Sequence, residues 1–378
     1  MAIEQLSPAQ ARQRQQAGAV LVDVRESGER AAGMADGARG IDMADLLADP
    51  AAHLPQRDQA LLLICQRGAR SLQVAQALQA AGYSQLASVD GGTTRWITDG
   101  LPVQRDADVD ADFAERYSRQ MRLPDVGLAG QRRLQSARVL LLGAGGLGSP
   151  VAFYLTAAGV GMLRLVDDDV VDRSNLQRQI LHVDAAIGMA KVASAQQRLQ
   201  ALNPRCEVQP IRERLNADNV ERLLDGSDVV IDGADNFAAR YLLNDACVAL
   251  GKPLVYGAVQ RFSGQVSVFD AGRQRGVAPC YRCLFPEPPA PEDAPNCAEA
   301  GVLGVLPGII GLLQATEAIK LMLGIGTPLI GRLLQVEALA MRFSELRLPP
   351  DPDCIVCAPG RSHPGYTDLA AVCAAPNA

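Results

Sequence analysis

Histidine is nearly missing from this chain. There are three in 378 residues, His53, His182 and His363, scattered and with none beside a plausible nucleophile. That scarcity removes support for a Ser-His-Asp hydrolase or a histidine-ligated catalytic metal. A basic excess is missing as well: the net charge is −6 with both signs interspersed, which argues against a nucleic-acid binder. No apolar run reaches the length of a bilayer span. The longest, 301–313, carries Pro307 and reads as a buried or dimer-facing helix. The first residues, MAIEQLSPAQ, have neither a basic start nor an apolar core, so no signal peptide is expected. Nine cysteines without an export signal then predict thiol or metal chemistry in a reducing compartment, by default the cytosol, and not a disulfide framework.

A chain of 378 residues is long for one domain, and two are expected. Residues 1–105 read as a small α/β unit. The runs VLVDVRE (20–26) and LLLIC (61–65) suit buried parallel strands. Residues 70–81 have helical spacing and end at Gly82, a stop signal. The stretch 104–112 (QRDADVDAD) is polar, acidic and aperiodic, so 106–112 is read as a linker. The second domain is placed at 113–358, with a flexible tail over 359–378.

The most informative stretch lies in that second domain. Residues 139–142 form a short apolar strand that leads into Gly143-x-Gly145-x-x-Gly148, with Gly146 between, and a helix-like run follows to Gly159. Strand, glycine turn and helix start together aim backbone N–H groups at a phosphate. Asp167 stands 19 residues after Gly148, where a carboxylate can take a ribose hydroxyl. Alone, this pattern suits an NAD-dependent oxidoreductase. Asn175, Arg178 and Lys191 change the reading, since two fixed cations suit a triphosphate whose charge grows as pyrophosphate leaves. The ordinary alternative is that both cations sit on a solvated helix face. Asp235 follows the apolar run 229–231, where open α/β sheets place ligand-binding residues. A carboxylate there can hold Mg²⁺ against phosphates. Asp232 is its nearest competitor, and helix capping is the alternative role for either.

Four cysteines pair as Cys280-x-x-Cys283 and Cys354-x-x-Cys357, separated by 70 residues. Two such pairs converging make a closed thiolate site of structural-zinc type. A redox pair is the alternative, but the prolines around Cys280 fit a loop better than a helix start. Cys65 ends a strand and opens the loop QRGA (66–69), with Arg70 and Ser71 beginning a helix. Loop N–H groups, the helix dipole and two arginines would lower that thiol's pKa and stabilise an anion on it. The other reading of Cys65 is a buried core cysteine. Cys206, Cys247 and Cys373 have no partner at metal spacing.

Several of these segments carry a family resemblance. RYSRQ (116–120), GAGGLG (143–148), SNLQRQ (174–179), ADNFAARYLLND (234–245) and CYRCLFP (280–286) resemble the MoeB/ThiF adenylyltransferases, bacterial relatives of ubiquitin-activating enzymes. The resemblance runs from about 113 to 357. It implies a Rossmann-like domain with a mainly parallel sheet, ATP in the glycine-rich site and Asp235 as the magnesium and catalytic residue. Arg119 would reach the partner subunit's nucleotide in a homodimer, and zinc would pin the C-terminal segment. Cys297 occupies a place where some members carry a reactive cysteine, and it is a candidate only.

The segment 21–103, with DVRE, CQRGARS and GGTTRWITDGLPV, resembles a single-domain rhodanese, a carrier of persulfide sulfur. Four residues separate Cys65 from Arg70, as in that family, whereas the related phosphatase loops are longer. One departure is GMADGA (33–38), where rhodaneses often read GHIxGA. Together the resemblances imply adenylation of a small ubiquitin-like sulfur carrier ending in Gly-Gly, with sulfur delivered from Cys65. The carrier expected first is the small subunit of molybdopterin synthase. Carriers of thiazole, cysteine or other thio-metabolite pathways are the alternative, and an NAD-dependent oxidoreductase with a sulfur-binding domain is the distant one. An upstream persulfide donor such as a cysteine desulfurase is implied. No nucleic acid or membrane partner is expected. The rhodanese precedes the activating domain here, the reverse of the eukaryotic fusion enzymes.

Overall fold

The computed structural model describes residues 2–31, 33–105, 109–288 and 301–366. The chain divides into two compact units, Met1–Gln131 and Arg132–Ala378.

In the first unit a five-stranded parallel sheet runs in the order Glu4–Leu6, Leu86–Val89, Leu61–Ile64, Val20–Asp23, Arg39–Gly40. Leu61–Ile64 lies at the centre and every residue in it is buried, which explains its unbroken apolar sequence. Alternate side chains face opposite layers. Val22, Leu61 and Leu63 pack with Val74 and Leu78 on one face, while Leu21, Leu62 and Ile64 pack with Trp96 on the other. Helix Ala69–Ala80 buries Ser71, Val74, Ala75 and Leu78, a stripe at helical spacing. The unit also takes in helix Ala111–Tyr117, capped by Asp110, whose carboxylate accepts the Phe113 N–H at 2.8 Å. Residues 106–108 of the acidic stretch lie outside the described residues.

The second unit is built on an eight-stranded sheet ordered Glu207–Ile211, Met162–Val166, Arg138–Leu142, Val229–Asp232, Leu254–Gln260, Ser263–Phe269, Arg332–Glu337, Arg342–Arg347. The first five strands are parallel and the remaining three antiparallel. The chain starts in Arg138–Leu142, moves outward through two strands, and returns to place Val229–Asp232 on the other side. That reversal is the topological switch point, where open α/β sheets leave a crevice beyond the strands' carboxyl ends. Helices Gly148–Ala158 and Leu306–Leu323 cover one face through Val151, Leu155, Ile310 and Ala318. Helix Phe237–Leu250 covers the other through Tyr241, Leu243 and Ala246.

The expectation for the apolar run 301–313 needs correcting. The helix starts later, at Leu306, and continues to Leu323, so its 18 residues are long and apolar enough to cross a membrane by length and composition alone. The sequence pattern broke at Gln314, but that side chain turns into the core. Its Nε2 donates to the carbonyls of Asp232 at 2.7 Å and Val255 at 3.3 Å. Half of the helix is buried inside the protein, as a core helix would be.

Candidate active site

The glycine turn beyond Arg138–Leu142 shows three different needs for glycine. Gly143 has φ +94°, and a Cβ there would sit 2.5 Å from the Gly233 carbonyl oxygen. Gly148 opens the helix so close to the strand that a Cβ would overlap the Gly143 carbonyl oxygen. Gly145 is the open one, with only Gln179 Nε2 within 4 Å of a Cβ position. Among the described residues, no protein acceptor takes the N–H of Gly145 or Gly146. Turn, open approach and close helix packing are the roles such glycines play around a pyrophosphate.

Around this turn the crevice gathers the residues read from the sequence. Asp167, at the end of Met162–Val166, accepts from Ala144 N–H at 2.8 Å and Asp169 N–H at 2.9 Å. Burial pushes its carboxyl above the ordinary range, opposed by Lys191 and those two amides. Two bonds leave lone pairs for a ribose hydroxyl. Lys191 is the first residue of helix Lys191–Leu202 and is buried, with Nζ 2.8 Å from Asp169 Oδ2. It therefore does not lie on a solvated face. Arg178 donates to Asn175 Oδ1 at 2.6 Å, and its Cγ borders the space over Gly146. Gln179, given no role by the sequence, is buried beside Gly145, and its Oε1 has no partner among the described residues.

The two neighbouring aspartates separate clearly. Asp232 is fully buried, takes Arg240 Nε at 2.8 Å and Ala234 N–H at 2.9 Å, and so fixes the turn after its strand. Its charge is already paired. Asp235, three residues on, is exposed. Neither caps the following helix, because Asn236 does, accepting the Ala239 N–H at 2.9 Å. The turn at Gly233 packs backbone to backbone on Gly143, so the loop bearing Asp235 adjoins the glycine turn. An exposed oxygen donor beside a glycine turn of this shape has the chemistry to hold Mg²⁺.

In the first unit Cys65 is buried at the end of Leu61–Ile64, and Gly68, with φ +98°, starts the helix behind it. Its Sγ accepts the Gly68 N–H at 3.1 Å and lies 3.5 Å from Ser71 Oγ. Burial alone would raise the thiol's pKa. The Ser71 hydroxyl and the N–H groups of Ser71, Arg67 and Gly68 outweigh it and hold the pKa below the ordinary value. The sequence reading credited loop N–H groups, the helix dipole and two arginines with that effect, and the N–H groups are in place. Of the arginines, Arg70 forks onto Glu29 at 2.7 and 2.8 Å while still feeling the Cys65 thiolate, and Arg67 is exposed. Alkylation of Cys65 by iodoacetamide should therefore show an inflection below the free-thiol value of about 8.5. Ser71→Ala should move it upward, and an inflection at the free-thiol value in the unaltered protein would contradict this account.

The four cysteines converge, with all four Sγ atoms within 4.8 Å of one another. Cys280–Cys354, Cys283–Cys357 and Cys280–Cys283 are 3.6, 3.4 and 4.0 Å apart. Zinc–sulfur bonds of about 2.3 Å in a tetrahedron require edges of about 3.8 Å. The Asp351 N–H donates to Cys283 Sγ at 3.3 Å, the outer-shell support such sites use. The donor set fits zinc and leaves no open coordination position.

Of the remaining candidates, Arg119 is exposed in the first unit. Cys297 and Cys373 lie outside the described residues, as does 367–378 of the tail. Cys206 and Cys247 are buried, and burial raises both thiols, Cys206 to about 11.

Comparison with known proteins identifies the family. The ThiF family profile matches residues 117–356 and the rhodanese-like domain profile residues 7–99. The sulfur carrier protein adenylyltransferase of Thermus thermophilus is 50% identical over 260 residues, 68% of this chain and 96% of that protein. The SAMP-activating enzyme E1 of Haloferax volcanii is 50% identical over 252 residues, 67% and 92% of the respective chains. The adenylyltransferase and sulfurtransferase MOCS3 of Drosophila grimshawi is 49% identical over 247 residues, 65% of this chain but 54% of its own length. Escherichia coli MccB shares the fold, with a TM-score of 0.58 at 18% identity over 78% of this chain and 86% of MccB. The chain belongs to the ThiF family, carries a rhodanese-like domain ahead of the family-defining region, and is an enzyme of the adenylyltransferase and sulfurtransferase class.

Proposed function

We propose that this enzyme adenylates the C-terminal Gly-Gly carboxylate of a small ubiquitin-like sulfur carrier and supplies sulfur from a persulfide on Cys65. The observation that carries the reading is the pairing, in one chain, of a phosphate crevice holding two cations with a thiol loop built for an anion. The relatives named for sulfur-carrier and SAMP activation support it. The small subunit of molybdopterin synthase is the carrier proposed first. An oxidoreductase would leave Arg178 and Lys191 without a task.

ATP lies with its phosphates over Gly145 and Gly146, its ribose on Asp167, and Arg178 and Lys191 facing the phosphates. Asp235 would hold Mg²⁺, which supplies charge neutralisation there when bound. A carrier carboxylate oxygen attacks the α-phosphorus, the bond to the β-phosphate oxygen breaks, and pyrophosphate leaves. Lys191 and Arg178 stabilise the negative charge that develops. The resulting acyl-adenylate has AMP as its leaving group. The outer sulfur of the Cys65 persulfide attacks the acyl carbon and expels AMP, and a thiol reductant then cleaves the acyl disulfide to leave a thiocarboxylate. Joining donor and activator in one chain raises the local concentration of persulfide. The enzyme is proposed to work as a homodimer in which Arg119 serves the partner's nucleotide.

ATP–pyrophosphate exchange with a panel of Gly-Gly-ending carriers tests the reading, and exchange with one carrier alone would name the pathway. Asp235→Ala is expected to slow exchange at least about a hundredfold. Unchanged exchange in that variant would remove Asp235 from the chemistry.

A further inference from the structure

His182 belongs to no part of the mechanism above, yet it is buried directly behind the glycine turn. Its Nε2 lies 2.9 Å from the Ala144 carbonyl oxygen and its Nδ1 lies 3.0 Å from Ser194 Oγ. A carbonyl only accepts, so Nε2 carries the proton and Nδ1 accepts from the serine hydroxyl. Burial also lowers the imidazole's pKa from its ordinary value, which favours the neutral ring.

The other side of Ala144 is held too, because its N–H donates to Asp167 Oδ2 at 2.8 Å. One residue of the turn is thus clamped through both its backbone polar groups. A trans peptide sends its C=O and the following N–H in opposite directions. Holding the Ala144 carbonyl on the imidazole therefore turns the Gly145 N–H away from His182. Gly145 is where the turn is open and where the N–H lacks a protein acceptor among the described residues.

We propose that His182 is a positioning residue for phosphate recognition: by gripping the Ala144 carbonyl it presents the Gly145 N–H to the nucleotide. The inference rests on the adenylation reading. It adds a residue that touches neither ATP nor the carrier. The Ala144 carbonyl selects the tautomer and Ser194, from helix Lys191–Leu202, meets Nδ1 on the other side, so the helix that begins with the phosphate-facing lysine also orients the imidazole.

The test compares three proteins in ATP–pyrophosphate exchange and in ATP binding by calorimetry. His182→Leu leaves the buried carbonyl unpaired and is expected to raise the KM and Kd for ATP about tenfold, with kcat within about twofold. His182→Gln places an amide donor near the former Nε2 and should restore both constants to within about twofold of the unaltered enzyme. A His182→Leu protein with unaltered ATP affinity, or a His182→Gln protein as impaired as His182→Leu, would overturn the proposal. If His182→Leu does not fold, nitrogen-15 spectra of histidine in the unaltered protein decide. An Nε2–H tautomer supports the clamp and an Nδ1–H tautomer removes it. An unaltered protein that binds no ATP would remove the adenylation reading and this inference together. Carrier-dependent exchange that is insensitive to His182 removes the inference alone.

Discussion

Cys65→Ala is expected to cut thiosulfate-to-cyanide sulfur transfer at least about a thousandfold, while ATP–pyrophosphate exchange stays within about twofold. The loop keeps its N–H groups and Ser71, but no other sulfur accompanies them, so no persulfide can form. The substitution replaces one buried sulfur with hydrogen at a strand end, a small change for the surrounding core. Exchange should survive because Gly145, Asp167, Arg178, Lys191 and Asp235 all belong to the second unit, and Arg119, in the first, is untouched by the loss of one buried sulfur. Loss of both activities would end the picture of two separate reaction centres.

The other large effect is expected at the four cysteines. Freshly purified protein should contain about one zinc per chain, and Cys354→Ser should lose it. Removing a structural metal from a closed thiolate site is among the few single changes that cost about 4 kcal/mol or more. For a unit of this size that corresponds to a melting temperature lower by about 10 °C. Cys280, Cys354 and Cys357 pack with Val248 and Ala271, so the lost metal also loosens the end of the helix that starts beyond Asp235. Metal analysis and thermal unfolding read the two halves of this prediction. Fresh protein without zinc would remove the site, and an unchanged melting temperature would make the metal ornamental.

Local pattern carried much of the molecule. Strand, glycine turn and helix around Gly143 were legible because each follows from neighbours in the chain, and so was the helix behind Cys65. Residues whose meaning depends on distant partners were not. His182 meets Ala144 across 38 positions, and Glu29 takes Arg70 across 41. Nothing in the sequence near either residue signals the contact. Asp232 remained a competitor of Asp235 in the sequence, and only the fold shows Arg240 folded back onto it. The last strand of the large sheet was hidden for another reason. Arg342–Arg347 is mostly exposed, so its sequence lacks the apolar run that marks a buried strand. Gln314 misled in the opposite direction, since a polar side chain inside the core looks like the end of an apolar helix.

The close fit of Gly143, Gly148 and Gly233 divides labour within the crevice. These positions contribute shape and no reactive group, and backbone lies where any side chain would go. Asp235 and Arg178 carry the charges proposed for the chemistry and contribute little packing, being exposed or half-exposed. Inheritance therefore acts on two nearly separate sets of positions. The first set tolerates almost no variation, because a change there moves two loops at once. The second can drift without unfolding the protein, so a lineage can lose, retune or redirect activation while the scaffold stays intact. Descendants that no longer activate anything would still look like this enzyme in outline, and the charged residues around the turn would be the place to tell them apart.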